Sequence, residues 1–190
     1  MWYHNIDMDA PARFVRIRLV SSNDREITQM CGLLNMACGG RPANKPQDAV
    51  RRLQDYNDYN GRSYGRFQAV LEDKPDSNII GLTHSAWFED GVALNSIAIG
   101  PERRGEGFGA RAIVTLAHLA TERALEEIWL YAKPQYDLLK FYQKLGFVAL
   151  PDSDYRVDTN TISTCWPLVA PVARVAGVSM EPFDYLDNMV

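Results

Sequence analysis

Cysteine is scarce in this sequence and poorly placed for either of its structural uses. The three residues, Cys31, Cys38 and Cys165, are odd in number and lack close metal-ligand spacing, which argues against a disulfide framework and a zinc site. Free thiols in a reducing compartment fit better. Long apolar runs are also missing: none approaches the ~20 residues that a membrane span requires. The N-terminal Met-Trp-Tyr-His-Asn-Ile-Asp-Met-Asp has no charged start followed by an apolar segment, so the expectation is a cytoplasmic protein. Neither charge sign dominates; the formal net charge is -4, and nothing global points to nucleic acid. Repeats and low-complexity tracts are absent, which excludes a solenoid or a disordered linker as the organising feature. No arrangement of the three histidines with cysteine or carboxylate suggests a metal or a covalent intermediate.

What is present suits one globular unit. With 190 residues, 46% of them hydrophobic, the chain is long enough to bury a core without staples. Residues 13–20 alternate partly between apolar and cationic side chains, as a half-buried strand does. Asn23 and Glu26 form a variant capping box before Ile27, Met30, Cys31, Leu34 and Ala37 at helical spacing. Pro46 opens a second helix carrying Ala49, Val50, Leu53 and Tyr56 on one side. Strands over 67–72, 79–88 and 92–99, divided by short polar turns, predict an antiparallel meander.

A helix with Ile113, Leu116, Ala117, Ala120 and Ala124 on a narrow apolar stripe follows, and then the aromatic strand Glu127 to Ala132. A strand reached through a helix lies parallel to the one before it, so 92–132 reads as a βαβ unit. A short helix with Leu138, Leu139 and Tyr142, capped by Gly146, leads to strands over 147–150 and 161–168. The expected organisation is a single domain over 1–169 and a tail over 170–190 with no assigned element.

The stretch from Leu94 to Ala110 concentrates the chemistry. Gly105, Gly107 and Gly109 uncover backbone N–H groups where a helix begins, and the helix end adds roughly half a positive charge. A phosphate suits such a turn, although a glycine turn is also needed wherever a strand swings sharply into a helix. A Walker loop would end in Gly-Lys-Ser/Thr, whereas this one ends in Gly-Ala-Arg. A dinucleotide fold would place its turn early among repeated βαβ units, and this turn follows a meander.

Arg104-Gly105-Glu106-Gly107-Phe108-Gly109 matches the pattern Gln/Arg-x-x-Gly-x-Gly/Ala, and Phe141-Tyr142-Gln143-Lys144-Leu145-Gly146-Phe147 matches Leu/Phe-Tyr-x-Lys/Arg-x-Gly-Phe. With these two motifs in order, the sequence resembles the GNAT N-acetyltransferase superfamily. The resemblance implies a mixed α+β fold: a central, mostly antiparallel sheet with one splayed parallel strand pair and flanking helices. It implies acetyl-coenzyme A as donor and a primary amine of a small molecule or protein as acceptor. The pyrophosphate would lie on the amides of Arg104, Gly105, Glu106, Gly107, Phe108 and Gly109, and the pantetheine arm along Ile97, Ala98 and Ile99. Gln135 and Leu138 stand where many relatives carry Asn and Ala; Gln135 still donates and accepts hydrogen bonds.

Acetyl transfer requires a neutral amine, a donor for the developing oxyanion and a proton for the departing thiolate. By resemblance, Tyr142 supplies that proton; helical spacing alone would make it an aromatic packing on the sheet, and Tyr131 and Tyr136 lie close in sequence. Backbone N–H groups near Ile97 are candidates for the oxyanion. Asn95 and Ser96 occupy the strand where some relatives place Glu; neither is a base, and either can orient a relaying water. His84 lies mid-strand, as a proton acceptor or as a hydrogen-bonded structural residue. The first two helices, the turn with Asp152, Asp154 and Asp158, and the tail are expected to shape the acceptor site. A tail with apolar residues and no evident place in one sheet suggests a homodimer, or a flap over its own acceptor groove. The competing function is a coenzyme A-binding or partner-docking module that keeps the fold and performs little or no catalysis.

Overall fold

The computed structural model describes residues 15–19, 25, 28–30, 32–33, 65–73, 78–132, 136–150 and 166–185. The predicted second helix, Gln135 and the acidic turn lie outside these. Strand β1 (Val15–Leu19) pairs antiparallel with β2 (Gly65–Asp73), and β3 (Asn78–Trp87) and β4 (Gly91–Ile99) continue the predicted meander. The β3–β4 turn is tight because Phe88 N–H donates to the Gly91 carbonyl at 2.9 Å, leaving Glu89 and Asp90 exposed. Those two acids serve the turn.

From β4 the chain passes through a short 3-10 turn (Pro101–Arg103) into helix α1 (Phe108–Glu122), then into β5 (Glu127–Ala132). Ala117 and Ala120 of α1 lie on the predicted stripe, whereas Ala124 falls beyond the helix end, exposed and at a φ of 56°. Ala112, Ala117 and Ala120 are fully buried, which lets the helix lie close on the sheet while Ile113, Leu116 and Leu119 fill the core. Each fully buried branched side chain contributes roughly 1.5–3 kcal/mol. Strand β5 runs parallel to β4, as the crossover requires.

Helix α2 (Tyr136–Lys144) ends at Gly146, whose φ of 95° is the left-handed conformation that glycine adopts at little cost. Then β6 (Val148–Ala149) pairs with β7 (Trp166–Pro171), and β7 also pairs with β5. The chain continues through the short helix α3 (Val172–Ala176) to β8 (Asp184–Tyr185), which adds in parallel to β1. The sheet order is β6-β7-β5-β4-β3-β2-β1-β8. The tail therefore has a place in this chain's own sheet, which removes the observation that suggested a homodimer.

The sheet carries apolar clusters on both faces. The larger joins α1, α2 and α3 to residues such as Leu94, Ile128 and Leu130. The smaller joins Met30 and Leu33, from the described helical positions near residue 30, to Val70, Leu82 and Ala98.

Candidate active site

The parallel pair β4–β5 is closed at one end and open at the other. Pairing runs from Gly91↔Glu127 to Leu94↔Leu130 and then stops. Strand β4 continues to Ile99 against β3, while Tyr131 and Ala132 of β5 pair only with β7. The break coincides with a β-bulge: Leu94 stands opposite Ser85 and Ser96 opposite His84, leaving Asn95 as the extra residue. A bulge bends its strand and raises the local twist. Here it separates the two strands.

The open end leaves specific backbone groups for another partner. Gly100 N–H donates to the Ile80 carbonyl at 2.8 Å, so the peptide groups of Gly100 point toward β3. Strand alternation then turns those of Ala98 toward β3 and those of Ile97 and Ile99 into the gap. Ala98 itself is buried in the smaller cluster. The Ile99 carbonyl accepts from Arg104 Nε at 3.1 Å, which ties the loop back onto the strand end.

The loop that follows is built for exposed amides. Gly105 and Gly107 have φ of 87° and 83°, and a Cβ on either would meet nothing within 4 Å. Their need for glycine is conformational, since L-residues pay ~1–2 kcal/mol in this region. Gly107 caps α1 without a side-chain cap, and no acidic residue lies in the first turn. The first helical bond, from Arg111 N–H to the Gly107 carbonyl, is 3.0 Å; the amides of Phe108, Gly109 and Ala110 precede it and have no intrahelical acceptor. Such a cradle has the charge sign that an anion requires. Glu106 takes its side chain away to Arg103 Nε at 3.0 Å.

Gly109 marks the convergence of three elements. A Cβ there would stand 3.8 Å from Ile99 Cγ1 and 3.9 Å from Phe141 Cζ, so the loop, the open end of β4 and helix α2 meet at one place. Tyr142 follows Phe141 and is 6% exposed, edge-on to the rings of Phe141 and Phe147 at centroid distances of 5.0 and 5.7 Å. Burial pushes its phenol up to about 12 from 10.0, because the phenolate loses water with no compensating charge. Leu138 is half-buried against the same cluster.

The other candidates lie on the opposite face. Ser96 is two residues from Ala98 and directly across from His84, so both share the face of the smaller cluster. Asn95 is exposed, and Ser96 and His84 are half-buried. Thus Tyr142 packs in the cluster on the helical face, whereas His84 and Ser96 share the other face. Sequence reading missed Arg111 and Phe183, which bring the C-terminal segment onto the start of α1. Only tertiary structure joins residues so far apart in sequence. Among the described residues no cluster of His, Cys, Asp or Glu could hold a metal ion, and no helix is long and apolar enough to cross a membrane.

Comparison with known proteins agrees with the fold. No curated protein matches the sequence. A chimera of spermidine N-acetyltransferase from Vibrio cholerae and hSSAT superposes with a TM-score of 0.65 at 16% identity, covering 86% of this chain and 99% of that one. The Vibrio cholerae spermidine N-acetyltransferase in complex with CoA and spermine gives a TM-score of 0.61 at 19% identity, covering 85% and 98%. The GNAT family N-acetyltransferase YhbS from Escherichia coli, in complex with CoA, gives 0.60 at 16%, covering 98% and 95%. These likenesses establish the fold. Residues 31–147, spanning the meander, the glycine loop and the tyrosine helix, match the model of the acetyltransferase (GNAT) family, and the chain belongs to that family.

Proposed function

We propose that this protein transfers the acetyl group of acetyl-coenzyme A to an amine by direct attack. The observation that carries the reading is the abrupt end of β4–β5 pairing after Leu94 and Leu130, just before a loop of uncapped helix-start amides. Backbone donors that no strand satisfies bond to water or to a ligand, and a gap of this kind offers them to a ligand's acceptors. When bound, acetyl-coenzyme A supplies the activated acetyl group. The amides of Arg104 to Gly109 hold its diphosphate, and Ile97 and Ile99 pair with its arm. The amide of Ile97 also offers a donor to the carbonyl oxygen as negative charge develops there.

Tyr142 faces the departing sulfur. A phenol near 12 is a weaker acid than a thiol near 8.5, so complete proton transfer would be uphill by roughly 5 kcal/mol. Tyr142 therefore donates a hydrogen bond to the developing thiolate. The C–N bond forms as the C–S bond breaks; the amine proton leaves through water oriented by Asn95 and Ser96, and solvent protonates the thiolate. The acceptor enters from the face carrying His84 and Ser96, opposite Tyr142.

A second reading, coenzyme A binding for partner docking without turnover, is favoured by the open end of β4, which carries Asn95 and Ser96 and no carboxylate. Calorimetry with coenzyme A and thiol release from acetyl-coenzyme A over an amine panel, spermidine included, separate the possibilities. Binding with turnover supports the enzyme, binding without turnover supports the module, and no binding at millimolar concentration overturns both.

A further inference from the structure

The start of α1 is gripped from outside the sheet. Between α3 and β8 the chain crosses from the β7 side of the sheet to its β1 edge, passing over α1. Three residues on one stripe of that helix receive it. Arg111 donates from Nε to the Glu181 carbonyl at 2.7 Å and from its terminal nitrogen to the Pro182 carbonyl at 3.2 Å. Thr115, fully buried, accepts from Phe183 N–H at 2.8 Å, while its own hydroxyl donates to the Arg111 carbonyl at 2.8 Å. Phe183, 1% exposed, lies beside the Phe108 ring at 6.0 Å, with the Arg111 guanidinium 4.4 Å from its own ring centre.

Phe108 is both the first residue of α1 and part of the glycine loop. Its ring also carries Arg103, 4.8 Å away, and Arg103 in turn holds Glu106. The sequence of contacts is Arg111, Phe183, Phe108, Arg103, Glu106: the first two fixed by the tail, the last three belonging to the loop. Gly105 and Gly107, the residues between these anchors, have no side chains with which to hold their own conformation.

We infer that residues 181–183 are a strap that sets the geometry of the coenzyme A loop, with Phe183 as the positioning residue, an inference that rests on the reading of residues 104–110 as the coenzyme A cradle. Phe183 is buried, 1% exposed. It acts by fixing the Phe108 ring, from which the amides of the first turn are aimed. Anchoring at both ends, by α3 packed on α1 and by β8 on the β1 edge, makes the strap part of the fold.

The test uses the full chain with Phe183→Leu, Arg111→Gln and, as a control, Leu119→Ala, a fully buried residue toward the far end of the same helix. Coenzyme A affinity is read by calorimetry, stability by melting, and loop order by hydrogen exchange at amides 105–110 without ligand. Phe183→Leu is expected to weaken coenzyme A binding about threefold to tenfold, the factor carried by a lost ring pair and cation–π contact, and to speed exchange at 105–110. Arg111→Gln, which leaves the core intact, acts in the same direction. Leu119→Ala lowers the melting temperature while leaving affinity and loop exchange unchanged. Wild-type affinity and exchange in Phe183→Leu and Arg111→Gln overturn the strap, as does an equal effect of Leu119→Ala. Should the wild type bind no coenzyme A, the acetyltransferase reading falls, and loop exchange still decides the strap.

Discussion

The two ends of the β4–β5 pair treat the same backbone in opposite ways. At the closed end the Asp90 carbonyl accepts the amides of Glu126 and Glu127 at 3.0 and 3.3 Å, and the Glu126 carbonyl accepts Val172 N–H at 2.8 Å. Phe88 and Trp129 pack edge-to-face at 5.6 Å. The strands approach so tightly that a Cβ on Gly91 would stand 2.6 Å from the Glu127 carbonyl oxygen. At the open end Gly105 and Gly107 face empty space, and Ile97 and Ile99 direct their peptide groups away from any strand. Satisfied backbone at one end thus supports backbone held in reserve at the other. Glycine is used at both, for proximity at Gly91 and for conformation at Gly105 and Gly107.

The open end is tested hardest through its chemistry. Tyr142→Phe should lower kcat about 10²-fold, within the range for loss of a positioned proton or hydrogen-bond donor, with KM for acetyl-coenzyme A little changed. Steady-state thiol release measures both, and an unchanged kcat would remove Tyr142 from the reaction. The closed end is tested through stability. Gly91→Ala forces a methyl against backbone and should cost about 2–3 kcal/mol in denaturant unfolding, as overpacking does. Gly107→Ala meets no atom, so only the left-handed backbone resists it. It should cost about 1–2 kcal/mol and weaken coenzyme A binding beyond what that loss explains. If Gly91→Ala and Gly107→Ala affected stability and binding in the same proportion, the two ends would not differ as described.

Much of this contrast was legible in the sequence, and the parts that were not share a cause. The meander, the βαβ unit, the glycine loop and the tyrosine helix follow from local periodicity and turn chemistry, so their bounds agree with the structure to within a residue or two, as for Glu127–Ala132. The splay was implied by family resemblance. Its location was not readable, because the bulge at Asn95 is a relation between two strands and leaves no mark in the composition of either. The tail was harder still. Phe183 lies among prolines and acids that argue for irregular chain, and its burial depends on Arg111 and Thr115, some seventy positions earlier. His84 and Ser96 were separate candidates in sequence; only the β3–β4 register makes them partners on one face.

The smallest expected effect concerns the phenol of Tyr142 and connects the buried core to the open end. Its pKa in the folded protein is raised to about 12 from 10.0 by burial, so the folded state retains this proton at pH values where the unfolded chain has lost it. The sign follows from linkage: below pH 10 both states are protonated and the group contributes no pH dependence, and above pH 10 the unfolded chain gains by ionising. Stability should therefore fall by about 1 kcal/mol between pH 10 and 11 from this residue alone, and continue to fall toward pH 12. Denaturant unfolding across that range, compared with Tyr142→Phe, isolates the contribution, because the variant lacks the ionising group and should show a shallower alkaline decline. Equal slopes would mean that the hydroxyl sees water as well in the folded protein as in the unfolded chain. The phenol would then be a stronger acid than its burial implies, and complete proton transfer to the leaving thiolate would be uphill by roughly 2 kcal/mol instead of 5.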